Sequence, residues 1–175
     1  VDHETGLPAE PDRLVIDLDP GPPAGLDECC AVALLARQML AAQGLELRAV
    51  TSGSKGMQLY APLPPTNPRG REVFAKAGSA ADFARGLALA LERALPDLVV
   101  SQMSRDKRPG RVFIDWSQNN PAKTTIVPWS LRGLSRPTAA VPVTWEAVER
   151  GGLRQQTLDE ALVTFAAHAD LLAGL

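Results

Sequence analysis

The apolar positions change their period along the chain, and each change marks an element. Leu14-Val15-Ile16 and Leu18 make a short apolar run, read as a strand over roughly Leu14–Leu18 that closes on Pro20-Gly21. Pro22-Pro23 bars a helix at that point. A helix then begins near Leu26-Asp27 and runs to about Ala42, with Cys30, Val32, Leu34, Leu35, Met39 and Leu40 forming a wide apolar stripe and Gly44 as its stop. Leu45–Thr51 and Met57–Leu63 read as strands on either side of the loop Ser52-Gly53-Ser54-Lys55-Gly56, the second closed by Pro64-Pro65. Thr66–Gly78 is a polar connection rich in Pro, Arg and Gly. Ser79-Ala80-Ala81-Asp82 opens a second long helix, about Ala81–Ala94, with Phe83, Leu87, Leu91 and Leu95 near helical spacing and Pro96-Asp97 as its end. Short apolar strands follow at Leu98–Ser101 and Val112–Trp116, separated by a Pro109-Gly110 turn signal. Thr124–Val127 is a candidate extended stretch, Pro128–Pro142 is Pro-rich and irregular, and helices at Trp145–Arg150 and Leu158–Leu172 finish the chain.

The order strand-helix-strand-strand-helix-strand is that of a split βαβ unit, an α+β ferredoxin-like (RRM-like) core with extra C-terminal helices. That layout puts two helices on one face of a sheet and leaves the other face open to ligands. Val1–Pro11 is polar and turn-rich and reads as a lead-in to one domain over residues 12–175. The chain opens on Val1 rather than Met, which points to a processed product or a piece of something longer.

Composition narrows the function classes. With 45% hydrophobic and 22% charged residues the 175-residue chain is ordinary for a globular domain, not a disordered one. A net charge of -2 argues against nucleic-acid binding by bulk electrostatics, while leaving room for a local basic face. Aromatics at 5% are too few for a base-stacking surface. No run approaches membrane-spanning length and no signal peptide is visible, so a cytoplasmic location and no membrane partner are expected. The only two cysteines, Cys29-Cys30, are adjacent and have no zinc-like partners; they read as helix residues in a reducing compartment. His3 and His168 have no evident partners either.

The candidate chemistry begins in the first strand. Residues i and i+2 of a strand share a face, so Asp17 and Asp19 project side by side. Two such carboxylates repel unless a cation sits between them, and hard divalent ions are the usual answer. The plain alternative is a turn-forming Asp19 ahead of Pro-Gly. An aspartyl phosphatase is a more distant alternative, since the Thr such sites carry shortly after is missing. Ser52-Gly53-Ser54-Lys55-Gly56 offers two glycines, two hydroxyls and an ammonium, suited to an anion nest or, equally, to a hairpin turn; it is not a Walker A loop. Asp115 ends a strand ahead of Gln118, as a third ligand or a turn residue. Arg105, Lys107, Arg108 and Arg111 form a basic cluster, and Lys123 and Arg132 follow; a solvated face is the plain reading of both. Taken together the pieces fit two-metal phosphoryl transfer, with carboxylates for the ions and fixed cations for a triphosphate.

Four motifs occur in order: D-L-D-P-G at Asp17–Gly21, S-G-S-K-G with L-Y-x-P-L over Ser52–Leu63, V-F-I-D-W-S-Q-N at Val112–Asn119, and K-T-T-I-V-P-W-S-L-R-G at Lys123–Gly133. From Asp12 onward the chain resembles the polymerase domain of bacterial ligase D, in the archaeo-eukaryotic primase superfamily. The resemblance implies a primase-polymerase fold and a metal-dependent nucleotidyltransferase that extends a DNA primer at its 3′-hydroxyl during non-homologous end joining. It implies two Mn²⁺ or Mg²⁺ ions held by Asp17, Asp19 and Asp115 as the catalytic carboxylates. Ser52, Ser54, Lys55, Gln58, Arg108, Gln118, Lys123 and Arg132 would be the nucleotide side. Implied partners are DNA ends or a primer-template, nucleoside triphosphates, and end-joining proteins such as Ku or a ligase module, in a bacterial, nucleoid-associated setting.

Two departures bear on that expectation. Gln58 stands where the family commonly has His, and an amide brings no titratable charge to a triphosphate. The family's domain is also much longer, with further nucleotide contacts and a DNA 5′-phosphate pocket in a portion preceding Asp17; residues 12–175 therefore read as its catalytic, C-terminal half. The competing expectation is a non-catalytic remnant or accessory domain that binds nucleic acid or a repair partner.

Overall fold

The computed structural model describes Gly6 and residues 12–63, 77–120 and 122–173. The expected lead-in, apart from Gly6, and most of the Thr66–Gly78 connection lie outside the described residues. The elements run β1 (Arg13–Pro20), α1 (Leu26–Ala41), β2 (Arg48–Thr51), β3 (Met57–Pro62), α2 (Ala80–Ala94), β4 (Val99–Val100) and β5 (Val112–Asp115). They continue with β6 (Leu131–Arg132), β7 (Thr138–Ala139), β8 (Pro142–Val143), α3 (Trp145–Arg150), β9 (Gln156–Thr157) and α4 (Leu158–His168). No helix among the described residues is long and apolar enough to cross a membrane.

The main sheet has the order β4-β5-β1-β3-β2-β8. Its inner four strands, β5-β1-β3-β2, pair antiparallel throughout and form the split βαβ arrangement expected from the element order. One detail differs. The strand directly after α2 shrinks to the two residues of β4, an edge pairing parallel to β5, and β5 takes the inner place beside β1. Pro128–Pro142, read as irregular, contains β6, β7 and the start of β8, while Thr124–Val127 carries no strand. Two-residue ladders are too short to show a period-2 pattern, so nothing in the sequence announces them. The last helix ends at His168 and passes into a 3₁₀ turn, Ala169–Leu172.

Alternation along the strands separates two faces. Leu14, Ile16 and Leu18 of β1, Met57, Leu59 and Ala61 of β3, and Val112 and Ile114 of β5 are buried with Val32, Ala36 and Leu40 of α1 and Ala84, Leu87 and Leu91 of α2. The intervening residues, Asp17, Asp19, Gln58, Tyr60, Phe113 and Asp115, therefore belong to the other face. The helices start where their caps dictate. Ser79 Oγ accepts from the Asp82 amide at 3.0 Å, Thr144 Oγ1 accepts from the Ala147 amide at 3.2 Å, and Glu28 reaches back to the Gly25 amide at 2.7 Å. Cys29 and Cys30 are buried free thiols of α1, and burial pushes both up in pKa.

Candidate active site

The register assembles the carboxylates. Asp17 lies directly opposite Asp115 across the β1–β5 pair, and Asp19 opposite Phe113, so all three aspartates share the face away from the helices. On the other side of β1, Asp17 faces Gln58 of β3. The face opens into a cavity of about 550 Å³ lined by these aspartates together with Ser54, Lys55, Gln118 and Arg132.

Each carboxylate is held differently. Asp19 meets the Arg108 guanidinium at 3.4 Å, and Asp115 meets the Lys123 ammonium at 3.6 Å. Asp115 also caps the 3₁₀ turn Trp116–Asn119, its Oδ1 accepting from the Ser117 amide at 3.0 Å and the Ser117 hydroxyl at 2.5 Å. The turn reading of Asp115 thus holds, and the register sets the same side chain beside Asp17. Asp17 has no cationic partner among the described residues; its Oδ1 accepts from Gln58 Nε2 at 3.2 Å. Burial first, then the charges of Asp115 and Asp19, push the Asp17 carboxyl from 3.8 up to about 6, against the lowering by the Gln58 and Gln118 amides.

The loop Ser52–Gly56 is built as a tight turn at the foot of β1. Gly53 has φ of 68°, and a Cβ on Gly56 would stand 1.9 Å from the Leu18 carbonyl oxygen. Ser52 is buried and its Oγ accepts from the Ser54 and Gly56 amides, both at 3.2 Å. The Gly53 amide goes to Gln155 Oε1 at 2.8 Å. Four loop amides, those of Ser52, Gly53, Ser54 and Gly56, are therefore spent inside the protein, and Ser54 and Lys55 are the residues the loop presents to solvent. Arg132 is tied to the same loop, its Nε donating to the Ser52 carbonyl at 3.0 Å. Arg108 packs over the Phe113 ring at 3.7 Å. Gln58 is 3% exposed, with its oxygen accepting from Tyr60 at 2.7 Å and its nitrogen donating to Asp17.

Sequence reasoning passed over several of the holding residues. Gln155 bridges the loop, its Nε2 donating to the Gly56 carbonyl at 3.0 Å; Thr138 donates to the Gly53 carbonyl at 2.6 Å. Asn119 completes β1 where β5 has ended, accepting from the Val15 amide at 2.9 Å and donating to the Val15 carbonyl at 2.7 Å. No local signal marks Gln155 or Thr138.

The donor set suits a hard divalent ion: three carboxylates on one sheet face, with no Cys, His or Met among the described lining residues. As the side chains stand, however, no group of three His, Cys, Asp or Glu among the described residues is arranged to hold a metal ion. Asp19 and Asp115 are instead engaged by Arg108 and Lys123. The buried Gln118 Oε1, on a residue that lines the cavity, has no hydrogen-bond partner among the described residues.

The split βαβ sheet, with acidic and basic groups on its open face, is a mixed α+β scaffold. The chain belongs to the family described as LigD, primase-polymerase domain, whose family model matches residues 2–172. Among curated relatives, the multifunctional non-homologous end joining DNA repair protein LigD of Mycobacterium tuberculosis is 46% identical over 169 residues, 96% of this chain and 21% of that protein. The bifunctional non-homologous end joining protein LigD of Bacillus subtilis is 32% identical over 166 residues, 94% of this chain and 25% of that protein. The solved polymerase domain from Mycobacterium tuberculosis ligase D, in complex with DNA, superposes with a TM-score of 0.82 at 44% identity, covering 95% of this chain and 55% of that one. The chain thus spans about a fifth to a quarter of the length of these curated relatives.

Proposed function

We propose that this chain carries the catalytic part of an end-joining polymerase that adds nucleotides to the 3′-hydroxyl of a DNA primer. The observation that carries the reading is the convergence of Asp17, Asp19 and Asp115 on one sheet face, in a cavity whose rim holds Lys55 and Arg132. Family membership and the DNA-bound relative support it. Arg108 and Lys123 offset Asp19 and Asp115, and Lys55 and Arg132 remain to draw a triphosphate. Asp17, Asp19 and Asp115 would hold divalent cations, Mn²⁺ or Mg²⁺, which would offset the carboxylates and free Arg108 and Lys123. Bound there, such ions supply activation of the attacking hydroxyl and neutralisation of charge on the leaving pyrophosphate. The chain's own residues do the remaining work. Lys55 and Arg132 bind phosphate oxygens, with Arg132 oriented by the Ser52 carbonyl. Arg108, braced on Phe113, and Lys123 hold the outer carboxylates and turn to the incoming triphosphate once those carboxylates are otherwise engaged. Gln58, buried and occupied at both ends, orients Asp17 rather than touching the nucleotide.

Primer extension on a recessed duplex with Mn²⁺ and either ribo- or deoxynucleotides tests this. Incorporation that disappears in Asp17→Ala and Asp19→Ala is the expected result. Duplex binding without incorporation would instead favour the accessory-domain reading, in which the chain, matching only 55% of the solved polymerase domain, binds but does not extend.

A further inference from the structure

We propose that Tyr60 is a positioning residue for the carboxylate site, acting through Gln58 on Asp17; the inference rests on the metal reading above. Tyr60 and Gln58 are each 3% exposed, two residues apart on β3 and so on the same face. The Tyr60 hydroxyl donates to Gln58 Oε1 at 2.7 Å, with the Ile126 carbonyl as its more distant alternative acceptor at 3.2 Å. Gln58 Nε2 in turn donates to Asp17 Oδ1 at 3.2 Å, across the strand register that sets the two residues opposite one another.

A primary amide can stand either way round, and the two ways are opposite at the carboxylate. With Tyr60 donating to its oxygen, the Gln58 amide must present its nitrogen to Asp17. Reversed, it would set an oxygen against the Asp17 carboxylate and repel it. The hydroxyl and the carboxylate thus favour the same amide orientation, and the Tyr60 bond holds Gln58 in place with its nitrogen on Asp17 Oδ1.

Asp17 is also distinct in what holds it. Asp19 and Asp115 each lie against a cationic side chain, whereas Asp17 is held by a neutral donor. A neutral donor fixes the direction of the carboxylate without cancelling its charge, which stays available to a cation. Outer-layer groups of this kind commonly set metal affinity by about 10- to 100-fold.

The test is a Mn²⁺ titration followed by the electron paramagnetic resonance signal of the free ion, which needs no turnover. Wild type, Tyr60→Phe, Gln58→Met and the double variant are compared, each checked by metal-free thermal melting. Tyr60→Phe is expected to weaken Mn²⁺ binding by about 10-fold, Gln58→Met by at least as much, and the double variant no further than Gln58→Met alone. That non-additivity is the signature of action through Gln58, and a purely structural role would not produce it. Unchanged Mn²⁺ affinity in Tyr60→Phe, or losses that add in the double variant, would overturn the inference. If wild type binds Mn²⁺ and Asp17→Asn does not, while Tyr60→Phe matches wild type, the positioning role alone falls. If wild type binds no Mn²⁺, the metal reading and the positioning role fall together. Should Tyr60→Phe melt cooperatively at a much lower temperature, Gln58→Met, which keeps the side-chain volume, carries the comparison with wild type.

Discussion

Asp17→Asn replaces a carboxylate that is costly to ionise with an uncharged group of the same shape. The folded carboxyl titrates at about 6 and the ordinary value is 3.8. Between those two values the folded chain binds more protons than the unfolded one, so stability falls as pH rises through the window, and the full cost is present above about 6. At 1.36 kcal/mol per pH unit the displacement corresponds to roughly 3 kcal/mol, an upper figure because Asp17 is only half-buried. Asn keeps an oxygen to accept from Gln58 Nε2, so the hydrogen bond is retained while the charge is removed. In the presence of a chelator, Asp17→Asn should be more stable than wild type by about 1–3 kcal/mol at about pH 8, with the gain vanishing toward pH ~4. For a domain of this size that is several degrees of melting temperature, since about 1 kcal/mol moves it roughly 2–4 °C. Thermal melting monitored by circular dichroism across this pH range measures it. Saturating Mn²⁺ should then reverse the order, because a ligand that binds only the native state stabilises it and the Asn variant lacks the charge that attracts it. A gain that is the same at every pH, or a wild type more stable than the variant at high pH without metal, would refute the electrostatic reasoning.

Three further outcomes test how the site is held. Gly56→Ala puts a Cβ 1.9 Å from the Leu18 carbonyl and 2.8 Å from Pro20, so β1 must shift between the two aspartates; a loss of roughly 2–4 kcal/mol in urea unfolding is expected, with weakened Mn²⁺ binding, and an unmoved midpoint would count against it. Asn119→Ala strands the Val15 N–H and C=O and should cost about 2–3 kcal/mol, with faster hydrogen exchange at the Val15 amide; Asn119→Asp, which keeps only the acceptor, should fall between. Ser52→Ala removes the acceptor for two loop amides and should cost about 1 kcal/mol while loosening nucleotide binding, measured by calorimetry; Ser54→Ala, at an exposed position, should leave stability within about 0.5 kcal/mol.

The carboxylates were legible and their supports were not, for one physical reason. In a strand the side-chain period is two, so a polar residue interrupting an apolar alternation declares both its presence and its face. Asp17 and Asp19 do this in β1, Gln58 and Tyr60 occupy the matching face of β3, and Asp115 completes it from β5. The split βαβ order makes β3 a neighbour of β1, while on its other side β5, rather than the strand directly after α2, takes the place. Gln155 and Thr138 obey no such rule. They reach the Gly53–Gly56 loop from about a hundred residues away, on β9's approach and on a two-residue strand, and their own neighbourhoods carry no periodic signal. Arg108 is intermediate: it was visible as part of a basic cluster, yet only the stacking on Phe113 and the approach to Asp19 separate it from Arg105 and Lys107 beside it. The helix-side face of the sheet is saturated with Leu, Ile, Val and Met and could be filled by many apolar sets of similar volume. The open face could not, since its strand residues are paired with specific partners: Asp17 with Gln58, Gln58 with Tyr60, Asp19 with Arg108, Asp115 with Lys123. A polar network this closely paired adds less to stability than an apolar layer of the same area would. Its place on one face of an otherwise apolar sheet is therefore not accounted for by folding stability, which is the ground for the proposed catalytic role.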